Sequence, residues 1–299
     1  MIKRTLFFGN PAYLSCRQEQ LLVTFPNSDQ VEKRIPIEDL GMIVLEHPQV
    51  TITHALLTKL SEHKVCLVTC NAQHLPEGIF LPMQGHTEHT ERLRLQLQAS
   101  LPLKKNLWQQ TVAAKIRNQH AHLKTRGKSS PRLDYLAREV SSGDVENHEA
   151  QAAAIYWQSL FEIPDFTRAQ DGMPPNNLLN YGYAILRAVI ARALVSSGLL
   201  PSLGIWHRNK YNAFCLADDI MEPYRPLVDR IVYELWEQEP YLNELSPNLK
   251  KELLGIPAMD VRMQGHKSPL MVAASRTSHS LYECFAGTSR KILYPDYGG

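Results

Sequence analysis

Apolar residues change their period once along this 299-residue chain. Up to residue 82 they come in short runs, AYLSCRQEQLLVTF, KRIPIEDLGMIVLE, VCLVTC and GIFLPM, separated by turn-formers such as NAQHLPEG, and this predicts strands. One helix is expected among them, at TITHALLTKLSEHK, where a Thr cap precedes Ala55, Leu56, Leu57 and Leu60 at helical spacing. After the polar stretch MQGHTEHTE the spacing becomes three, four and seven. Leu93, Leu97, Leu101, Trp108, Val112 and Ile116 mark one or two long helices. Further helices are expected at NHEAQAAAIYWQSLF, at NNLLNYGYAILRAVIARALVSSG with an Asn cap, at PLVDRIVYELW, and at SPLMVAASRTSHSLYECF opened by Ser268 and Pro269. The pattern predicts an α+β chain: a small β-rich N-terminal domain (1–82), a linker (83–91) and a larger all-α domain (92–299).

Composition adds limits. Hydrophobic residues make up 44% of the chain, ample for two cores. The five cysteines are odd in number and form no CxxC pair, which favours buried thiols in a reducing cytoplasm over a disulfide framework or zinc ribbon. MIKRTLFFGN lacks the apolar core of a secretory leader, and no apolar run approaches the roughly 20 residues of a membrane span, so a cytoplasmic protein without a membrane partner is expected. Net charge is only +2, but it is unevenly spread. Residues 104–138 hold nine Lys or Arg against Asp134 alone, a balance of +8; residues 217–260 hold ten acids against four bases, a balance of −6. Such asymmetry suggests a polyanion-binding surface beside an acidic site. A solvated helical face is the plainer account of the basic run.

The acids of CLADDIMEPYRPLVD raise the chemical question. Asp219 with Glu222 three residues on reads as a capping box at a helix start, which needs no function. Glu149 opens the alanine-rich helix, where an acid also suits the helix dipole, and His207 in GIWHRNKYN ends a loop, where a hydrogen-bonded surface histidine is the plain expectation. Taken together, Glu149, His207 and Glu222 offer two carboxylates and an imidazole, a set that suits Mn2+ and tolerates Mg2+. Zinc fits less well, because HEAQA at His148 lacks the second histidine of HExxH. Asp219, one turn before Glu222, is a candidate for a second ion, a water or a cap; Asp218 lies about 100° further round and is a weaker one. A divalent cation beside a basic segment points to phosphoryl transfer on nucleic acid.

NHEAQAAAIYW, GIWHRNKYNAFCLADDIMEPYRPLVD, NPAYLS and HLPEGIFLPM together resemble the CRISPR-associated integrases, the metal-dependent subunits that capture foreign DNA fragments as spacers, in the form found with type II systems. The resemblance covers nearly the whole chain. It implies an endonuclease and strand transferase that inserts short fragments by 3'-hydroxyl attack on a phosphodiester, with Mg2+ or Mn2+ held at the positions of Glu149, His207 and Glu222 and Asp219 contributing. It also implies a homodimer formed through the N-terminal domain and double-stranded DNA as substrate. Two such dimers would be bridged by a small ferredoxin-like partner nuclease into a heterohexamer, with the RNA-guided effector nuclease as a further partner. Two rivals remain open on the letters alone. DDIME is a DDxxE pattern, as in all-helical isoprenoid synthases that hold a diphosphate through Mg2+, although no second aspartate-rich motif accompanies it. A non-catalytic DNA-binding scaffold would use the same acids as caps.

Overall fold

Strands dominate the first part of the chain in the computed structural model, which describes residues 3–26, 31–169, 171–238 and 244–298. Two compact units result, residues 1–87 and 88–299. In the first, β1 (Arg4–Phe8), β5 (Leu40–Leu45), β7 (Cys66–Cys70) and β8 (Pro76–Phe80) form one sheet in the order β1-β5-β7-β8, parallel except for β8. The other sheet has the order β4-β3-β2-β6, from β2 (Ala12–Arg17), β3 (Gln20–Thr24), β4 (Lys33–Pro36) and β6 (Val50–Ile52). Helix α1 (His54–Glu62) lies in this unit, capped by Thr53, whose hydroxyl accepts from the Leu56 N–H. Leu56 and Leu60 of α1 share one core with Leu14, Leu21, Leu40 and Ile43. A central parallel strand is covered on both faces, so β5 is continuously apolar, LGMIVL, and its first five residues are buried.

AYLSCRQEQLLVTF, expected as a single run, is a hairpin. Gln18 and Glu19 both take left-handed backbone (φ 51° and 58°), so β2 folds back on β3 without the Gly or Asn that usually announces such a turn.

The second unit carries α2 (His89–Gln98), α3 (Leu101–Thr125), α4 (Pro131–Glu139), α5 (His148–Leu160), α6 (Asn176–Ser196), α7 (Cys215–Met221), α8 (Arg225–Gln238), α9 (Pro247–Leu253) and α10 (Leu270–Phe285). Four expectations need correction here. The unit is not all-α: β9 (Asp260–Met263) and β10 (His266–Pro269) pair as a hairpin through Gln264 and Gly265, both at positive φ, and Ser268 and Pro269 end that strand before α10 begins. Helix α2 starts inside the stretch read as a linker. Finally, α6 does have the length and apolar composition of a membrane span, but 78% of its apolar window is buried inside the protein, as befits a central core helix packed on α7, α8 and α10. The asparagine at its start is not a cap either. Asn176 instead pins the preceding loop, accepting from the Ala169 N–H and donating to the Thr167 and Met173 carbonyls.

The −6 and +8 segments meet within this unit. Lys115 pairs with Glu222, and Arg126 with Glu234 and Glu237. Lys128 pairs with Glu162, and Arg138 with Asp134. Part of the charge read as a phosphate-binding face is thus spent on intramolecular pairs: those of Lys115 and Arg126 form where α3 packs against Glu222–Tyr224 and α8, whereas Lys128 and Arg138 pair with acids outside the −6 segment. Arg117, Lys124 and Arg132 remain exposed.

Candidate active site

Helix α7 begins at Cys215, so Asp218 falls in its first turn, Asp219 follows within the helix, and Glu222 stands just past its last residue, Met221; none of them precedes the helix. No capping box exists there, because neither acid precedes the helix. Pro223 cannot continue the α-helical hydrogen bonding, and Glu222–Tyr224 tightens into a 3-10 turn leading into α8. That turn is fixed from α3: the Asn118 side-chain amide donates to the Pro223 carbonyl (2.7 Å) and to the Pro295 carbonyl (3.0 Å), and its oxygen accepts from the Tyr297 N–H. Glu149 sits on the first turn of α5. Asp144, not Asn147, caps that turn, its two oxygens accepting from the backbone N–H groups of His148 and Glu149.

Both carboxylates reach one ammonium. Lys115 Nζ lies 2.7 Å from Glu149 Oε1 and 2.5 Å from Glu222 Oε2, and Arg225 holds Glu222 Oε1 at 2.9 Å. Glu222 and Lys115 are almost fully buried; Glu149 is about a quarter exposed. Burial alone would neutralise Lys115, but Glu222 and Glu149 outweigh it and hold the amine protonated. Burial likewise works against the Glu222 carboxylate, and Arg225 and Lys115 outweigh it, so its pKa falls below the ordinary value. Glu222 Oε2 is buried, and the group that faces it is the Lys115 ammonium.

His207 stands on the loop before α7. Its ring packs edge-on against Trp108 of α3, and Trp206 stacks flat on the same indole (5.6 Å, 3°). Asp219, completely buried, accepts from the N–H groups of Trp206 and His207 and from His207 Nδ1 at 2.5 Å. That hydrogen bond raises the His207 pKa against the effect of burial, with the charges of Asp219, Glu222 and Glu149 adding to it. With Nδ1 committed to Asp219, Nε2 is the nitrogen available to a ligand. Gly204 makes this loop possible: a Cβ there would fall 2.3 Å from the His207 carbonyl oxygen and 2.8 Å from Asp219 Oδ2.

Asp219 therefore orients His207 from behind and does not face the acids. Asp218 points elsewhere, to Arg187 (2.6 Å) and Asn212 (2.7 Å). Among the described residues no three His, Cys, Asp or Glu side chains gather closely enough to hold a metal ion. Glu149 and Glu222 meet through Lys115. The donor set nonetheless fits a hard divalent cation: two carboxylates already sharing one positive charge, and an imidazole whose Nε2 is not the nitrogen committed to Asp219.

Lys115, Arg225, Trp108, Asn118 and Gly204 were not singled out from the sequence. A signal for part of this set existed. Thr111, Lys115, Asn118, Gln119 and His122 are all buried and recur at three- and four-residue spacing, a polar stripe inside the apolar face of α3.

The stripe continues into a buried network. Tyr156 and Tyr183 donate to opposite oxygens of Asp229 (2.9 and 2.5 Å), and His122 Nδ1 lies 2.7 Å from the Tyr156 oxygen. Burial lowers the His122 pKa to about 3, helped by Arg126, so the ring is neutral. The single Tyr156 proton is used on Asp229, which makes His122 Nδ1 the donor. Burial raises the Asp229 pKa from 3.8 to about 7. Between those values the folded protein keeps a proton that the unfolded chain has lost, so this group's stabilisation is present at low pH and disappears as pH rises through about 7. Asp229→Asn is expected to flatten that fall. Thermal midpoints at pH 5 and pH 8 should differ less in the variant than in the wild type; identical pH profiles would contradict the assignment.

Residues 6–244 match the family described as CRISPR associated protein Cas1, and the chain belongs to that family. It is 44% identical over 256 residues to the CRISPR-associated endonuclease Cas1 of Neisseria meningitidis serogroup C (strain 8013), covering 85% of this chain and 83% of that one. Among solved structures, a casposase bound to integration product superposes with a TM-score of 0.78 at 20% identity, covering 99% of this chain and 93% of the other. A Cas6-RT-Cas1–Cas2 complex gives 0.74 at 21% identity, covering 97% of this chain and 35% of that one. These two likenesses establish a shared fold: strands first, then a mostly helical part. The isoprenoid-synthase reading of DDIME falls with the family assignment, and its acids diverge, Asp218 towards Arg187 and Asp219 towards His207.

Proposed function

We propose that this chain is a metal-dependent DNA endonuclease and integrase that joins short duplex fragments into a CRISPR array as spacers, by attack of a fragment's 3'-hydroxyl on a target phosphodiester. The observation that carries the proposal is the meeting of Glu149 and Glu222, from separate elements, around one positive charge, with His207 held by Asp219, the residue three before Glu222. Glu149, Glu222 and His207 Nε2 would hold Mg2+ or Mn2+, which when bound supplies Lewis-acid stabilisation of charge on the phosphate. The chain's own residues do the rest. Arg225 keeps Glu222 ionised, Asp219 fixes the imidazole, and exposed Arg117, Lys124 and Arg132 grip backbone phosphates without regard to sequence. Holding donor and target together supplies proximity.

The integration product in the casposase structure and the Cas2 in the other complex support carrying duplex DNA and a small ferredoxin-like partner over to this chain. We place it as a homodimer paired through residues 1–82, two dimers bridged by that partner, acting in the cytoplasm with the RNA-guided effector nuclease. Residues 92–299 form the catalytic part.

Labelled duplex donors, a supercoiled repeat-bearing plasmid, the partner and Mn2+ or Mg2+ test the reaction. Donors with free 3'-hydroxyls are expected to become covalently attached, and donors ending in 3'-dideoxynucleotides are not. Equal joining by both would overturn the proposed nucleophile; nicking without joined product under every condition would leave a plain endonuclease.

A further inference from the structure

Glu222 has no uncommitted oxygen: Arg225 occupies Oε1 and the Lys115 ammonium faces Oε2. Together Glu149 and Glu222 carry two negative charges, already matched by Lys115 and Arg225. A divalent cation added to this arrangement would leave an excess of two positive charges among buried side chains, which is strongly unfavourable. One resident cation has to leave.

The two are not equally free to do so. Arg225 opens α8, and its guanidinium lies over the Tyr183 ring, 4.7 Å from the centroid. Lys115 carries its charge on a flexible four-carbon stem, and its ammonium is anchored by Glu149 and Glu222. Beside it opens a cleft of about 440 Å³ lined by Lys115, Glu149, Trp157, Arg168, Glu222 and Arg225, with space for the stem to swing.

We propose that Lys115 is the resident counter-ion of the site: its ammonium holds Glu149 and Glu222 together in the metal-free protein, and a divalent cation competes with it for the same carboxylate oxygens. This rests on the metal-ligand reading above and adds to it a specific competitor built into α3. The apo site is thereby kept folded and charge-balanced, and metal affinity is set below what the two acids would give alone.

Mn2+ titrations followed by electron paramagnetic resonance, on the full chain at fixed pH, test this directly. Lys115→Met is expected to bind Mn2+ about tenfold more tightly than the wild type, to melt at lower temperature without metal, and to gain more in Tm from added Mn2+. Lys115→Arg, which keeps the charge, should not tighten binding. Unchanged or weaker Mn2+ binding by Lys115→Met, with the wild type binding normally, would overturn the competition. A second measurement needs no variant: Lys115 in the wild type should react with an amine-labelling reagent faster when Mn2+ is saturating. Equal labelling with and without Mn2+ would contradict displacement even where Lys115→Met fails to fold. Failure of the metal site itself looks different, with no Mn2+ binding that Glu149→Gln removes.

Discussion

Glu222→Ala is expected to abolish DNA joining and also to destabilise the metal-free protein by about 3–5 kcal/mol, because it strands the buried cations Lys115 and Arg225 together. At the usual scaling for a unit of this size, that lowers Tm by about 6–20 °C. Activity loss in this variant alone therefore says little about chemistry. The two effects separate in the double variant: adding Lys115→Met removes one stranded charge and should recover part of the lost stability while joining stays absent. Circular-dichroism melts of the two single variants and the double one read the coupling. A Glu222→Ala protein as stable as the wild type would mean that the ion pairs contribute nothing.

The second large effect falls on His207. Its side chain is 47% exposed, and its removal deprives Asp219 of one hydrogen bond while leaving the two backbone donors in place. The expected cost in stability is about 1–3 kcal/mol, well below that of Glu222→Ala. Joining should nevertheless fall by about 1,000-fold or more, since a ligand acting in the transition state contributes several kcal/mol and each 1.4 kcal/mol is tenfold. Asp219→Asn is the informative companion. It keeps the shape but weakens the hold on Nδ1, so a loss of only about 10–100-fold is expected. Quantifying joined product for the two variants at matched DNA occupancy checks the order. If Asp219→Asn were the more damaging of the pair, Asp219 would be doing more than orienting the ring. Wild-type joining by folded His207→Ala would remove His207 from the site.

Periodicity and residue type made much of this legible before any coordinates. The switch from short apolar runs to three- and four-residue spacing placed strands before helices, since each backbone geometry imposes its own repeat on the buried face. Glu149, His207 and Glu222 stood out as a donor set because a hard cation needs such groups whatever the fold. The Gln18–Glu19 hairpin escaped, since a left-handed turn made by non-glycine residues leaves no compositional mark. So did the β9–β10 hairpin, two four-residue strands being too short to show a period.

Tertiary structure alone decided the rest. Asp218, Asp219 and Glu222 are neighbours in sequence with three different partners in space: Arg187 and Asn212, His207, and Lys115 with Arg225. Which partner each acid finds depends on what α3, α6 and the loop before α7 bring up to it, and local spacing holds no record of that. Lys115 shows the limit most sharply. In the sequence it is one of nine basic residues in a run that reads as a solvent-facing, phosphate-binding surface. In the fold it is a buried cation between two acids, because packing turned that side of α3 inward and a charge taken out of water must find its counter-charge within the protein.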